Sequence, residues 1–281
     1  MAEPVFILSS SYCLGSDRTT IFTQNLSTLH IVSKMESTKF PVPTLINGDF
    51  YKTLKIKQVR VIDNSKASTL VEEVASVDDE SIRKAVKKIT LFDSEGQPKN
   101  MQFLAAELTV MHVSKHPHVM NMESFAACDN FLAVTMPFCS RGSLGGMLES
   151  LEPEQTERYF VQITCALRYL HDLDVVHGDV KPGNILVDAS DNAILADFGH
   201  AKILTGGQEV GSRWGGTRGF IGPEFYTSES INFYMVSTFP CVYIISTVNL
   251  SLYVSSCVSQ FVILWKDIEY FIRHSDTHSC K

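Results

Sequence analysis

The stretch His177-Gly178-Asp179-Val180-Lys181-Pro182-Gly183-Asn184, which runs directly into Ile185-Leu186-Val187, is the most informative part of this sequence. Thirteen residues after Asn184 comes Asp197-Phe198-Gly199, and further along comes Gly222-Pro223-Glu224. Any one of these short motifs alone would be a weak signal, because tripeptides recur by chance. The three motifs in this order and at this spacing form a specific signal, and they decide how the rest of the chain is interpreted.

These motifs resemble those of the eukaryotic protein kinase family, in which a catalytic loop with Asp and Asn precedes a D-F-G and an A-P-E motif. The resemblance spans about residues 51–226. It implies an α+β, bilobal, protein-kinase-like fold with a small β-rich N-lobe, an incomplete α-rich C-lobe, and ATP with Mg²⁺ bound between the lobes. It also implies a Ser/Thr protein kinase that transfers the ATP γ-phosphate to protein hydroxyl groups.

The resemblance gives a role to each polar residue of the motifs. Phosphoryl transfer depends mostly on positioning and charge neutralisation, so the site needs carboxylates, a cation and a base. Asp179 is expected to be the catalytic base, and Lys181 is expected to contact the γ-phosphate, as in Ser/Thr-type kinases. Asn184 and Asp197 supply oxygen ligands suited to Mg²⁺. Thr217 resembles the substrate-pocket threonine of Ser/Thr kinases.

Upstream, Ala85-Val86-Lys87 resembles the end of the V-A-I-K strand motif of the family. Lys87 is expected to hold the α- and β-phosphates, with Glu107 on the following helix as its ion-pair partner. Lys88 is the competing candidate, but alternation along a strand places Ala85 and Lys87 on one face and Lys88 on the other. The other interpretation is that Lys87 and Glu107 are solvated surface charges.

The segment 131–139 resembles the strand that leads into the hinge of a kinase. In this register Met136 is the gatekeeper, and Phe138 belongs to the segment whose backbone groups contact adenine. Ala85 and Leu186 are expected to lie on opposite sides of the adenine ring. For Met136, packing in the core is an equally good interpretation, because methionine readily fills gaps in apolar cores.

The hydrophobic pattern around the motifs predicts a small sheet followed by helices. Short runs with β-branched residues predict strands at 60–62 and 84–90, and an apolar run predicts a buried strand at 131–138. Helical spacing of apolar residues predicts helices at 102–113 and 153–171. This order of elements favours an α+β protein with two lobes.

Two departures from the family pattern bear on activity. No glycine occurs between residues 48 and 96, so Asp63, Ser65 and Ser68 stand where the Gly-rich loop belongs. Side chains there hinder the approach of backbone N–H groups to phosphates, which lowers the expected ATP affinity. Gly178 replaces the arginine that pairs with an activation-loop phosphate in the family, so activity is not expected to need that phosphate. The alternative function is therefore a pseudokinase or truncated kinase that acts as a binding or scaffold module.

Residues 229–281 do not follow the family pattern. The run 231–265 contains no Asp, Glu, Lys, Arg or His in 35 residues. Three interpretations stay open: a truncated or aberrantly spliced product, a transmembrane anchor, or divergent helices and strands that complete the lobe. The predicted domains are a leader at 1–50, a protein-kinase-like domain at 51–228, and an apolar tail at 229–281 with 231–265 as its candidate membrane segment.

The composition indicates which kinds of partner and which cellular location to expect. The chain has 281 residues with 24 Lys+Arg against 31 Asp+Glu and no dense basic run, so a nucleic-acid partner is disfavoured. Its seven cysteines lack a C-x-x-C motif, which predicts reduced cysteines in the cytosol rather than a disulfide framework. The expected partners are ATP and a Ser/Thr protein substrate, and the expected location is the cytoplasm, with membrane association through 231–265 left open.

Overall fold

The computed structural model describes residues 44–66, 68–91, 101–128, 131–204, 210–211, 216–217, 220 and 230–231. The chain divides into two compact units. The N-terminal unit runs to Ser114 and also contains Asn121–Phe138, and the C-terminal unit contains Lys115–Met120 and the chain from Cys139 onward. The first unit is built mainly of strands and the second contains the long helix, which confirms the α+β prediction.

Among the described residues, the N-terminal unit is built on a six-stranded sheet with the order β1-β5-β6-β4-β3-β2. The strands are β1 (Thr44–Leu45), β2 (Ile56–Lys66), β3 (Thr69–Ser76), β4 (Arg83–Thr90), β5 (Ser124–Ala127) and β6 (Phe131–Pro137). Neighbouring strands pair antiparallel, except that β1 runs parallel to β5. The strands predicted at 60–62, 84–90 and 131–138 are therefore confirmed as β2, β4 and β6.

One face of this sheet is covered by the segment that begins with β1. Helix α1 (Phe50–Thr53) begins after Asp49, whose Oδ1 accepts a hydrogen bond from the Lys52 backbone N–H at 3.1 Å. A buried apolar cluster joins this segment to the sheet and consists of Ile46, Phe50, Val74, Val86, Ala126 and Ala133. Residues 44–50 therefore pack on the sheet although they precede residue 51, the boundary predicted from the sequence, while residues 1–43 lie outside the described residues.

Helix α2 (Met101–Val113) confirms the helix predicted at 102–113. Leu104, Leu108 and Met111 are buried, as their helical spacing predicts. Glu107 lies on the same buried side with 6% of its surface exposed. A carboxylate at such a position requires a partner, because an unpaired buried charge is costly.

The C-terminal unit contains helix α3 (Pro153–Asp172), which confirms the helix predicted at 153–171. Proline at the first helical position is favourable, since its missing N–H would have no partner there. Tyr159, Ile163, Leu167 and Leu170 are buried along one side of the helix. The strands described in this unit are β7 (Gly142–Ser143), β8 (Val175–Val176), β9 (Ile185–Val187), β10 (Ala193–Leu195), β11 (Lys202–Ile203), β12 (Val210–Gly211) and β13 (Ser230–Ile231).

The short strands of the C-terminal unit hold its polar loops in place. Strand β9 pairs antiparallel with both β10 and β7, and β8 pairs with β11. Short 3₁₀ helices lie at Leu144–Gly146, Leu148–Ser150, Pro182–Asn184 and Phe198–His200. Strand β9 therefore begins where the sequence motif ends, and β10 ends two residues before Asp197.

The cysteines only partly follow the prediction of reduced thiols. Cys128 and Cys139 are not disulfide-bonded. Burial raises the pKa of the Cys139 thiol to about 12, so this residue is a poor nucleophile. Cys165 is disulfide-bonded, and the prediction is wrong for this residue. Pairing depends on which cysteines the fold brings together, which the spacing along a chain does not reveal.

No helix in the described ranges is long and apolar enough to cross a membrane. The candidate membrane segment 231–265 lies outside those ranges apart from Ile231. Its role therefore stays a prediction, as do the three interpretations of residues 229–281.

Candidate active site

His177 connects the polar stretch 177–184 to the end of the strand before Asp197. Its side chain is completely buried, and its Nε2 donates a hydrogen bond to the Ala196 carbonyl oxygen at 3.0 Å. Its Nδ1 accepts a hydrogen bond from the Asp179 backbone N–H at 3.2 Å. One neutral tautomer satisfies both bonds, and burial lowers the pKa of His177 and keeps it neutral. The ring therefore fixes the distance between the backbone at Asp179 and the segment that leads into Asp197.

The Asp179 carboxylate lies at the centre of a dense hydrogen-bond network, with its side chain only 1% exposed. Its Oδ1 accepts from the backbone N–H of Thr217 at 2.9 Å and from the Thr217 hydroxyl at 2.7 Å. Its Oδ2 accepts from Lys181 Nζ at 2.7 Å and from Asn184 Nδ2 at 3.0 Å. Lys181 Nζ also lies 2.7 Å from the Thr217 hydroxyl. Four donors thus orient one carboxylate, and four residues given a role from the sequence meet there: Asp179, Lys181, Asn184 and Thr217.

The network keeps Asp179 ionised. Burial by itself raises the pKa of this carboxyl, but the hydrogen bonds from Lys181 and Thr217 and the charge of Lys181 lower the pKa below its ordinary value. His200 Nδ1 lies 3.8 Å from Oδ2, and an imidazolium at this position would add to the same effect. Asp179 is therefore a proton acceptor at neutral pH that is also fixed in direction, as general-base catalysis requires.

Asn184 and Asp197 lie at one end of the β9–β10 hairpin. Leu195 pairs with Ile185, and the next backbone hydrogen bond runs from Ala196 N–H to the Asn184 carbonyl at 2.9 Å. Asn184 Nδ2 donates to both the backbone oxygen of Asp179, at 2.8 Å, and its carboxylate, so the side-chain oxygen is the atom that Asn184 can offer to a cation. Asp197 adopts a left-handed backbone with φ 61°, a strained conformation for a residue with a side chain.

These two side chains fit Mg²⁺. Among the described residues no group of three or more His, Cys, Asp and Glu side chains has the arrangement of a metal site built from protein alone. Mg²⁺ is usually held by one or two carboxylates together with phosphate oxygens and water, so one carboxylate and one amide oxygen are a suitable donor set. Asn184 and Asp197 are the residues that would hold the ion, and this assignment stays a prediction.

In the N-terminal unit, Lys87 and Glu107 form a buried ion pair. Lys87 Nζ lies 2.5 Å from Glu107 Oε1, and the two side chains are 11% and 7% exposed. Strand β4 and helix α2 bring them together across 20 residues of sequence. The interpretation as solvated surface charges is therefore wrong, because both groups have left water and each neutralises the other.

Lys88 points to the opposite face of the sheet and has a different set of partners. Its Nζ lies 2.8 Å from Glu72 Oε2 and 2.7 Å from the Tyr51 hydroxyl. It also lies over the aromatic rings of Phe50, Tyr51 and Phe131, at 4.9, 4.3 and 5.6 Å from their centroids. Burial lowers the pKa of Lys88, but Glu72 and Tyr51 raise it above its ordinary value, so the ammonium stays charged. Lys88 thus binds Glu72 and the Tyr51 hydroxyl on the covered face of the sheet, which leaves Lys87 as the phosphate-binding candidate.

The residues predicted to contact adenine fall in both units. Ala85 and Met136 are directly opposite each other on β4 and β6, and both are buried. Ala85 is two residues from Lys87, so the alternation of the strand places all three side chains on one face. Phe138 follows β6 and is half-buried, while Leu186 lies on β9 of the C-terminal unit. The positions of Phe138 and Leu186 relative to adenine stay predictions.

Comparison with known proteins identifies the family. A sequence profile described as "Protein kinase domain" matches residues 64–245, which is more than half of the 281-residue chain. The chain belongs to the protein kinase family. Its kinase domain is 34% identical over 123 residues to the MAP kinase kinase kinase SSK2 of Saccharomyces cerevisiae, a match that covers 43% of this chain and 8% of the relative.

Two further relatives are serine/threonine-protein kinases. The chain is 30% identical over 132 residues to SIK2 of Gallus gallus, covering 46% of this chain and 16% of the relative. It is 29% identical over 154 residues to Nek4 of Mus musculus, covering 53% of this chain and 19% of the relative. The chain therefore spans less than one fifth of the length of these three kinases.

Two local features distinguish this kinase domain from the family pattern. Gly178 has φ +81°, a left-handed conformation that glycine adopts without strain. In the β2–β3 hairpin Lys66 pairs with Thr69, and the connection contains no glycine. Asp63 Oδ1 there accepts a hydrogen bond from the Ser65 backbone N–H at 2.9 Å. This amide is therefore already engaged by a carboxylate, which disfavours its use as a phosphate ligand.

The structure also brings in residues that sequence reasoning missed. His177 belongs to the sequence motif, but the motif does not predict that its ring links the Asp179 backbone N–H to the Ala196 carbonyl oxygen. Glu72 and Tyr51, which hold Lys88, lie far from it in sequence and carry no motif. Glu72 alternates with the apolar residues Leu70 and Val74 along one face of β3, and a charge at such a position is the signal that could have indicated a partner.

Proposed function

We propose that this kinase domain transfers the γ-phosphoryl group of ATP to serine or threonine hydroxyls of a protein substrate. The observation that carries the proposal is the Asp179 carboxylate, which is ionised and oriented by Lys181, Asn184 and Thr217. A base held in this way can accept the hydroxyl proton of a substrate as its oxygen forms a bond to the γ-phosphorus. The bond between the γ-phosphorus and the bridging oxygen breaks, and ADP leaves.

The network predicts which donor leaves Asp179 when a substrate arrives. An ionised carboxylate has about four favourable acceptor positions, and four donors already use them. A substrate hydroxyl must therefore replace one of them. Lys181 is the most mobile of the four, since it is a long side chain that is 25% exposed. Its departure toward the γ-phosphate would free Oδ2 and add a positive charge where negative charge accumulates.

The remaining roles follow the family. Lys87, fixed by Glu107, is the proposed ligand of the α- and β-phosphates, and Asn184 with Asp197 is the proposed Mg²⁺ site. Bound Mg²⁺ would supply neutralisation of the phosphate charge. Ala85, Met136, Phe138 and Leu186 are the proposed adenine contacts. ATP and a Ser/Thr protein substrate are the proposed partners, and the cytoplasm is the proposed location.

The test is phosphate transfer from Mg²⁺·ATP to peptide libraries that contain Ser, Thr or Tyr as the acceptor. We expect transfer to Ser and Thr peptides, and a fall of about 10²–10⁴-fold in kcat for Asp179→Ala, because this range is typical for loss of a general base. Asp172→Ala is the matched control, because Asp172 is an exposed aspartate at the end of α3. Equal activities of Asp179→Ala and the wild type would refute the proposal, as would transfer to Tyr peptides alone.

A second candidate function is a binding or scaffold module with the kinase fold. It is favoured by the β2–β3 hairpin, where glycines are absent and the Ser65 amide is engaged by Asp63. The two functions differ in nucleotide binding, which is measured as the effect of Mg²⁺·ATP on the melting temperature of the folded chain. A ligand at 100 times its Kd stabilises the folded state by about 2.7 kcal/mol. A folded chain that shows no shift and no transfer would favour the module.

A further inference from the structure

Gly145 lies against the backbone of the loop that carries the proposed catalytic and metal-binding residues. It belongs to the 3₁₀ helix Leu144–Gly146, and a Cβ atom placed on it would lie 3.3 Å from the Gly183 backbone nitrogen. The same Cβ would lie 3.5 Å from the Gly183 Cα and from the Pro182 carbonyl carbon. The adjacent Gly146 has no atom within 4 Å of its Cβ position. Gly145 is thus the glycine of this pair whose missing side chain allows close packing.

The 3₁₀ helix cannot easily move away to make room. Leu144, the residue before Gly145, is 1% exposed and anchors the helix in the core. The preceding strand β7 pairs with β9, with Gly142 opposite Val187 and Ser143 opposite Leu186. Strand β9 also begins directly after Asn184. The helix and the loop are therefore both held next to β9, and, because Leu144 fixes the helix in the core, a side chain at position 145 would push against the loop.

We infer that Gly145 is a positioning residue for the loop Lys181–Asn184, an inference that rests on the proposed kinase function. Displacement of Gly183 moves its neighbour Asn184, which holds Asp179 through hydrogen bonds of 2.8 and 3.0 Å and is a proposed Mg²⁺ ligand. It also moves Lys181, whose carbonyl accepts the Asn184 backbone N–H at 2.9 Å. Both consequences concern the geometry of phosphate transfer rather than the stability of the fold.

The experiment compares Gly145→Ala and Gly145→Val with the matched controls Gly146→Ala and Gly146→Val in the full chain. Both glycines are exposed, belong to the same 3₁₀ helix and lack the left-handed backbone that only glycine tolerates. We expect a fall in kcat of about 3- to 10-fold for Gly145→Ala and about 100-fold for Gly145→Val, because misplacement of catalytic groups by about 1 Å costs about 10²-fold. The Gly146 variants should retain kcat within about 2-fold.

Two readouts separate positioning from a merely structural effect. The Mg²⁺ concentration for half-maximal activity should rise in the Gly145 variants, because Asn184 is displaced, while their melting temperatures should match those of the Gly146 variants. A kcat loss that is equal at both positions, or one that follows the melting temperature, would overturn the inference.

A third readout does not depend on turnover. In ¹⁵N-labelled chains, the amide resonances of Gly183 and Asn184 should shift in Gly145→Ala and stay in place in Gly146→Ala. If the folded wild-type chain transfers no phosphate, the proposed function fails. These resonances alone then decide whether the residue at position 145 determines the position of the loop Lys181–Asn184. Unchanged resonances in Gly145→Val would overturn the inference in either case.

Discussion

Replacement of the two adjacent lysines of β4 by methionine should have separable effects on activity and stability. Lys88 pairs with Glu72, whose side chain is 2% exposed, and removal of one partner of a buried ion pair costs about 3–5 kcal/mol. Glu72 keeps hydrogen bonds from the Tyr51 hydroxyl and from Gln58 Nε2 at 2.6 Å, so part of its charge stays compensated. We expect Lys88→Met to lower the free energy of unfolding by about 3 kcal/mol, near the lower end of that range.

Lys87→Met breaks the buried pair with Glu107 and should lower the free energy of unfolding by a similar amount, about 3 kcal/mol. The two variants differ in activity, because only Lys87 is a proposed phosphate ligand. We expect Lys87→Met to lose at least about 10²-fold in kcat/KM for ATP, and Lys88→Met to retain most of its activity at temperatures where it stays folded. Lys84→Met is the control: its ion pair with Glu123 is exposed, so less than about 1 kcal/mol should be lost.

The assay is urea unfolding of the full chain followed by far-UV circular dichroism, together with initial rates of peptide phosphorylation. A double variant, Glu72→Gln with Lys88→Met, should be more stable than Lys88→Met alone, because it removes the unpaired charge. Loss of activity in Lys88→Met equal to that in Lys87→Met would refute the assignment of phosphate binding to Lys87. A change of less than about 1 kcal/mol for Lys88→Met would refute the structural role of the Lys88 cluster.

Three further predictions concern the C-terminal unit. Thr217→Val should lower kcat by about 10-fold or more, since a hydrogen bond to a charged group contributes about 1.5–3 kcal/mol. The same change should move the acid limb of the pH–rate profile to higher pH, because the hydrogen bond from Thr217 lowers the pKa of Asp179. Thr217→Ser keeps the hydroxyl group and should retain activity. Gly178→Ala should lower the free energy of unfolding by about 1 kcal/mol, measured by urea titration, because the φ of +81° at this position disfavours a side chain. Because Gly178 also stands where the family has an arginine that pairs with a loop phosphate, phosphatase treatment of the wild type should leave its activity unchanged. Burial lowers the pKa of His171 to about 4, so the unfolded chain binds a proton that the folded chain does not, and stability should fall as the pH decreases from about 6.5 toward 4. In unfolding titrations at several pH values, His171→Gln should reduce the dependence of the free energy of unfolding on pH by at most about 1.4 kcal/mol per pH unit. An unchanged pH dependence would contradict the buried neutral state of His171.

The loop from His177 to Asn184 could be interpreted from sequence because its chemistry is local. Asp179, Lys181 and Asn184 lie within six residues, and the hydrogen bonds among them follow from that proximity. The strand alternation that favours Lys87 over Lys88 is also a local property of the chain. The ion pair of Lys87 with Glu107 needed one further assumption, that the next helix packs on the same face of the sheet.

Contacts between distant segments could not be predicted in this way. Thr217 reaches Asp179 across 38 residues, and Tyr51 reaches Glu72 across 21. The covering of one sheet face by residues 44–55 depends on complementary packing of Phe50 against Val74 and Val86, which no periodic pattern encodes. The boundary predicted at residue 51 falls inside this covering segment, because packing across a sheet leaves no signal in local composition.

The sequence by itself determined the family and the order of strands and helices, and it led to the proposed base and metal ligands, because each of these depends on short-range spacing of residue types. Only the tertiary structure decided that the Asp179 carboxylate is ionised, that Lys88 belongs to a buried structural cluster, and that Gly145 lies against the backbone of Gly183. The physical reason is that charge state and steric fit depend on burial and on contacts across space. Both arise when the chain is packed, from residues that are far apart along it.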